Sequence, residues 1–133
     1  MPRYSVIAVR LALIHLMVGS ALGALLLAAK GVPALALPPA LAAAIVASHA
    51  PQLLFGWTAL LAFGVAFWIL PRFMQGPPRG REWPAWVALV ALNAGVLASF
   101  AGWFHLAHGL LALGCAAFAL HAVPRVRTLA REC

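Results

Sequence analysis

Three observations predict an all-α integral membrane protein of four helices. Of 133 residues, 65% are hydrophobic and two are acidic, with a mean hydropathy of +1.02, far from the composition of soluble domains. Four apolar runs of about twenty residues can be drawn, the length a helix needs at 1.5 Å per residue to cross roughly 30 Å of hydrocarbon. Arginines cluster at the ends of those runs. The predicted helices cover about residues 5–29, 49–70, 84–100 and 104–123, so 1–133 reads as a single transmembrane domain.

The first run carries His15 and ends at Lys30-Gly31-Val32-Pro33 without a convincing cleavage site, so it reads as a retained helix and not a signal peptide. His15, Gly19 and Gly23 recur every four residues on one face with little bulk besides the imidazole, which predicts a close approach by a neighbour. The proline-rich stretch 30–39 is a loop. Residues 41–47 are apolar, but adding them to the next run gives a helix too long for an untilted crossing. They form either an interfacial turn or an extension bent near Pro51.

The second run opens with His49. Gly56 and Phe63 follow at spacings that keep them near its face, with Trp57 and Trp68 toward opposite ends as interfacial indoles. A polar turn from Arg72 to Trp83 holds Gly76-Pro77-Pro78 and Glu82. The third run has Asn93 and Ser99 as its polar members. Gly102-Trp103 is too short a turn for anything but an antiparallel fourth helix, which begins with His105 and His108 and carries His121 near its end. Cys115 and Cys133 form no CxxC or CxxCH pattern, and a disulfide between them is not expected.

The formal charge of +7 does not imply nucleic acid, because the arginines flank apolar spans and build no dense basic surface. They report topology instead. Placing both termini and the 72–82 turn on the cytoplasmic side leaves only Lys30 outside, as the positive-inside rule requires.

In that orientation His49, His105 and His108 share the outer membrane level, His15 lies near mid-membrane and His121 near the cytoplasmic face. Ionisable groups inside spans are functional candidates by default, and neutral imidazole is the commonest metal ligand. With no carboxylate or suitably placed thiol in the spans, haem iron or copper suits the cluster better than magnesium or calcium. Small faces at Gly19, Gly23, Gly95, Gly109 and Ala112, edged by Phe55, Phe63 and Phe104, could provide a flat haem slot.

The stretch His49-Ala50-Pro51-Gln52-Leu53-Leu54-Phe55-Gly56-Trp57, then Gly64, then Ile69-Leu70-Pro71-Arg72 resembles the second helix of the catalytic subunit of haem-copper oxidases and nitric oxide reductases. It also resembles the related NnrS family of membrane haem proteins. The resemblance covers about residues 11–72, and Gly19 and Gly23 leading into Leu25-Leu26-Leu27-Ala28 are compatible with the helix that comes first in those families. It implies that His49 is an axial haem ligand; the reading of the chain built on it is a haem b protein with His108 or His105 as the second ligand. NnrS has a second histidine and a glutamate where this chain has Pro51 and Gln52, and the oxidases' later histidine-rich helices are missing. Oxidase turnover is therefore not expected.

The family's catalytic subunit is built of three similar four-helix arcs. This chain resembles one arc, which implies a homo-oligomer, a trimer of arcs, with haem held by His49 and a histidine of the same or a neighbouring subunit. The function so implied is electron transfer with a respiratory-chain redox partner, haem handling or gas sensing in the cytoplasmic membrane. The alternative is a non-haem histidine cluster handling copper or protons, or an accessory subunit of a respiratory complex.

Overall fold

The computed structural model describes residues 1–73 and 79–132, with side chains as far as Arg127. The Gly76-Pro77-Pro78 turn and Cys133 lie outside the described residues. All regular structure among the described residues is helical: α1 (Arg3–Gly31), a short 3₁₀ turn (Pro33–Leu35), α2 (Pro39–Pro51), a π-helical stretch (Gln52–Ala59), α3 (Leu60–Ile69), α4 (Trp83–Phe100) and α5 (Phe104–Glu132). Four helical segments, counting 39–69 as one, are long and apolar enough to cross a membrane.

The second span departs most from expectation. It begins at Pro39, ten residues before His49, and runs unbroken to Ile69. Residues 41–47 thus extend it, and Pro51 widens the helix where a sharp bend was one of two expectations. Proline brings no N–H and crowds the carbonyl four residues back; beyond it the turns loosen to the five-residue spacing of a π-helix. The Leu60 amide donates to the Phe55 carbonyl, and Thr58 Oγ1 donates to Leu53 O at 3.0 Å.

The widened stretch shifts the face that the helix carries forward. Gly56 and Gly64 both face α1, the latter against Ala8 and Val9. Phe63, expected on the His49 face, instead stacks on Phe118 of α5 at 4.0 Å between ring centroids. Trp57 is mid-span, packed against the core, because the helix starts earlier than its histidine suggested.

Helices α4 and α5 form the tightest pair. The chain reverses at Gly102, whose φ of 78° only glycine adopts without strain. The Trp103 amide donates to Ala98 O at 3.0 Å and the Gly102 amide to Ser99 O at 3.2 Å, a Schellman ending of α4. Beyond the turn the helices interlock through reciprocal notches. A Cβ on Gly95 would meet Leu111 at 2.8 Å, and one on Gly114 would meet Leu92 at 2.8 Å. Without water to drive helices together, such close packing is what holds membrane pairs.

One end of the bundle collects the start of α1, residues 70–73 and 79–83, and the last described turns of α5. There Tyr4 packs on Phe67 and edge-on to Trp86, with ring centroids 4.5 and 5.4 Å away. Arg125, 1% exposed, closes the same end. Its Nε donates to Pro71 O at 2.9 Å, its Nη atoms to Phe67 O and Leu70 O, and Nη1 also to His121 Nε2 at 3.0 Å. These carbonyls are among those a helix leaves unpaired at its C-terminus. Arg125 therefore ties α5 to the end of the second span, and α5 continues through Pro124 where the sequence suggested a stop.

Candidate functional site

The seam between α1 and the second span holds the polar chemistry. Each member of the His15, Gly19 and Gly23 face meets a specific partner there. A Cβ on Gly56 would lie 2.5 Å from His15 Cγ, one on Gly19 2.6 Å from Leu53 Cδ2, and one on Gly23 2.7 Å from His49 Cε1. The glycines are seats for the opposing side chains. Gly56, expected near a cofactor, makes room for the His15 ring.

His15 is buried and engaged at both ring nitrogens. Nδ1 meets the Gln52 carboxamide, and Nε2 meets Asn93 Oδ1 at 2.9 Å. Asn93 Nδ2 donates to Leu89 O at 2.7 Å, which turns its oxygen toward the ring. Both ring nitrogens face carboxamide oxygens, so a neutral ring satisfies both contacts only with its proton on Nε2 and the Gln52 carboxamide turned to present its NH2 to Nδ1. Three helices are joined through one imidazole, and in hydrocarbon that satisfaction matters because no water can replace a lost partner. With both nitrogens occupied, His15 is a structural hub and offers no lone pair to a metal.

His49 has the opposite arrangement. Its Nδ1–H donates to Gly19 O at 2.8 Å, and Nε2 has no hydrogen-bond partner among the described residues. The ring is partly exposed and lies over Gly23. Metal-ligating histidines commonly show this pattern, one nitrogen held by a backbone carbonyl and the other carrying the lone pair outward. In the second span His49 stands one turn before Gln52, so it is inside the span and not at its mouth.

His49, His105 and His108 do not converge as a three-imidazole group among the described residues of one chain. Helix α5 packs along α4 and reaches the second span chiefly over α3, far along the chain from His49. His105 and His108 are exposed on α5 beside Gly109 and Ala112, an outward face of small side chains where a Cβ on Gly109 would touch nothing. No three histidine, cysteine, aspartate or glutamate side chains converge as metal ligands among the described residues. A copper cluster of three imidazoles at one depth is therefore not assembled by a single chain. Of the small faces expected to line a haem slot, three are filled within the chain, Leu53 and His49 occupying Gly19 and Gly23 and Leu111 occupying Gly95, while Gly109 and Ala112 stay open.

No protein-family model, curated protein or solved structure matches this chain. The site must therefore be read from its own geometry.

Sequence reasoning passed over two side chains. Asn93 stood out only as a polar residue in an apolar run, yet it closes the His15 network. Arg125 was absorbed into the charge pattern, although its position four residues after His121 puts both on one helical face. Cys115 is a free, half-buried thiol.

Proposed function

We propose that the protein is a membrane-embedded haem b protein in which His49 is an axial ligand and the second ligand comes from another copy of the chain. The carrying observation is the His49 ring, fixed through Nδ1–H to Gly19 O with Nε2 accessible at the protein surface. A ligand histidine needs a fixed orientation and a free outward lone pair, and of the buried or half-buried histidines only His49 combines them: His15 and His121 use both nitrogens in hydrogen bonds. His108 and His105, on the exposed small face of α5, are the donors a neighbouring subunit would present. A homo-oligomer, a trimer in the three-arc arrangement that the sequence resembles, brings such faces together.

Haem with two histidine ligands supplies one-electron transfer and leaves no coordination position for oxygen chemistry. The chain's own part is to hold the His49 ring through Gly19, to keep the ring's tautomer with the proton on Nδ1, and to surround the site with hydrocarbon. Electron transfer with a respiratory-chain partner, or haem handling, follows from that ligation. The arginine-bearing end, with both termini, faces the cytoplasm of a cell whose inner membrane holds the protein, in line with the positive-inside rule.

The test is the absorption spectrum of detergent-purified protein, oxidised and dithionite-reduced, for wild type, His49→Ala, His108→Ala and His105→Ala. Wild type should show a Soret band with sharp reduced α and β bands, lost in His49→Ala and converted to a five-coordinate spectrum by one of the other two. Colourless wild type after expression with ample haem would refute the proposal.

A further inference from the structure

At the arginine-bearing end, between Phe73, residues 79–84 and α5 from Leu120 to Pro124, lies a cavity of about 470 Å³ lined by Phe73, Arg79, Arg81, Trp83, Leu120 and His121, among others. Its wall depends on Gly80, at φ 64°, which lets the backbone pass so close to Phe73 that a Cβ would lie 2.8 Å from its ring. The charge around it is one-sided. Arg79 and Arg81 line it, Arg72 and Arg125 lie nearby, and Glu82 is the one carboxylate near them among the described side chains; neither Arg79 nor Arg81 makes an ion pair among the described residues.

Arg79 Nε is a buried donor with no hydrogen-bond partner among the described residues. The Arg79 and Arg125 guanidinium carbons both stand 5.7 Å from the Phe67 ring centre, which gathers the two cations around one aromatic face. Arg125 is engaged by carbonyls and His121 uses both ring nitrogens, on Arg81 O and Arg125, so neither neutralises Arg79. A buried cationic donor without an acceptor is costly, and a phosphate is the acceptor that suits a guanidinium fork. The cavity's lip is apolar: Trp83 and Leu120 line it and are exposed.

We propose that this cavity binds the headgroup phosphate of an anionic phospholipid, with Arg79 and Arg81 as the phosphate donors and the acyl chains leaving past Trp83 and Leu120. Basic pockets between transmembrane helices at a membrane face take such headgroups, and Trp83 sits where indoles anchor at that depth. The site needs the chain to span a bilayer and makes no use of haem, so failure of the haem proposal leaves it standing.

The test uses the full chain in nanodiscs of phosphatidylcholine, alone or mixed with phosphatidylglycerol, read by thermal melting and by lipid retained in native mass spectrometry. Phosphatidylglycerol should raise the melting temperature of wild type and remain bound. Arg79→Gln or Arg81→Gln should each lower retention about five-fold, while Lys30→Gln, at the opposite end, should behave as wild type. Because Arg81 is exposed, its variant keeps the test decisive should Arg79→Gln fail to fold. Equal retention by both arginine variants and wild type would overturn the proposal. Stabilisation by inorganic phosphate in pure phosphatidylcholine discs, matching that of phosphatidylglycerol, would assign the cavity to a free anion and overturn it equally.

Discussion

Gly56→Ala should destabilise the protein far beyond what one methyl group suggests. The new Cβ would sit 2.5 Å from His15 Cγ and 2.8 Å from both His15 Cβ and Nδ1. These atoms are the root of the side chain and cannot swing away, and the ring is held by Gln52 and Asn93 at its two nitrogens. Either α1 and the second span separate or His15 gives up partners. Overpacking costs about 1–3 kcal/mol, and losing one or two buried hydrogen bonds a further 1–3 or so. Replacing a helical glycine returns up to about 1 kcal/mol. The net loss is about 1–5 kcal/mol, centred near 3. Reversible unfolding in mixed detergent and SDS micelles measures it. Gly109→Ala, where a Cβ meets nothing within 4 Å, is the control and should be neutral or slightly stabilising. Adding His15→Gly to Gly56→Ala should remove the clash, since His15 Cβ is itself one of the close atoms, making the pair less unstable than the sum of the single changes by about 1–3 kcal/mol. The reasoning is refuted if Gly56→Ala unfolds like Gly109→Ala, or if the two changes are additive.

Arg125→Met should strip the second span of its end cap and cost about 3–5 kcal/mol in the same assay. Arg125→Lys should recover little of it, since one ammonium cannot reach carbonyls that the guanidinium fork spans. Gly23→Val, whose Cβ would lie 2.7 Å from His49 Cε1, should turn the ring off the Gly19 carbonyl and weaken haem binding about 10–100-fold with His49 still present. A haem titration that leaves Gly23→Val equal to wild type would show that the ring's seat does not govern ligation.

The four-span architecture was legible because each span is long enough to be counted and the Gly102 turn too short to misread. The face carrying His15, Gly19 and Gly23 correctly announced a close neighbour, since a four-residue spacing survives in a regular helix. Gly56, seven residues after His49, also kept to the α1 side as expected; what failed was the inference carried through the whole stretch beyond Pro51 to Phe63. Periodicity assumes a constant turn, and the π-helical stretch breaks it, so Phe63 moved to the α5 side while Gly64 took the place facing α1. Depth failed for a related reason: His49 was taken as the start of its helix, when the start lies at Pro39. Histidines counted to one membrane level were thereby assigned to one site, though depth says nothing about which helices adjoin. Arg125 was hidden because a lipid-facing arginine and an interior cap have the same sequence signature.

The reciprocal Gly–Leu notches let α4 and α5 bury each other's glycine faces without help from the first half, although Arg125 still takes its carbonyl partners from the second span. The first half depends on the second in turn, because one nitrogen of His15 has its partner on α4. A ribosome delivers the chain from its N-terminus, so α1 and the second span reach the bilayer with an imidazole N–H facing hydrocarbon until Asn93 arrives. That interval gives assembly a direction. The early pair carries an unmet polar demand, the late hairpin brings the single carboxamide that answers it, and docking in the correct rotational register is the arrangement that satisfies both.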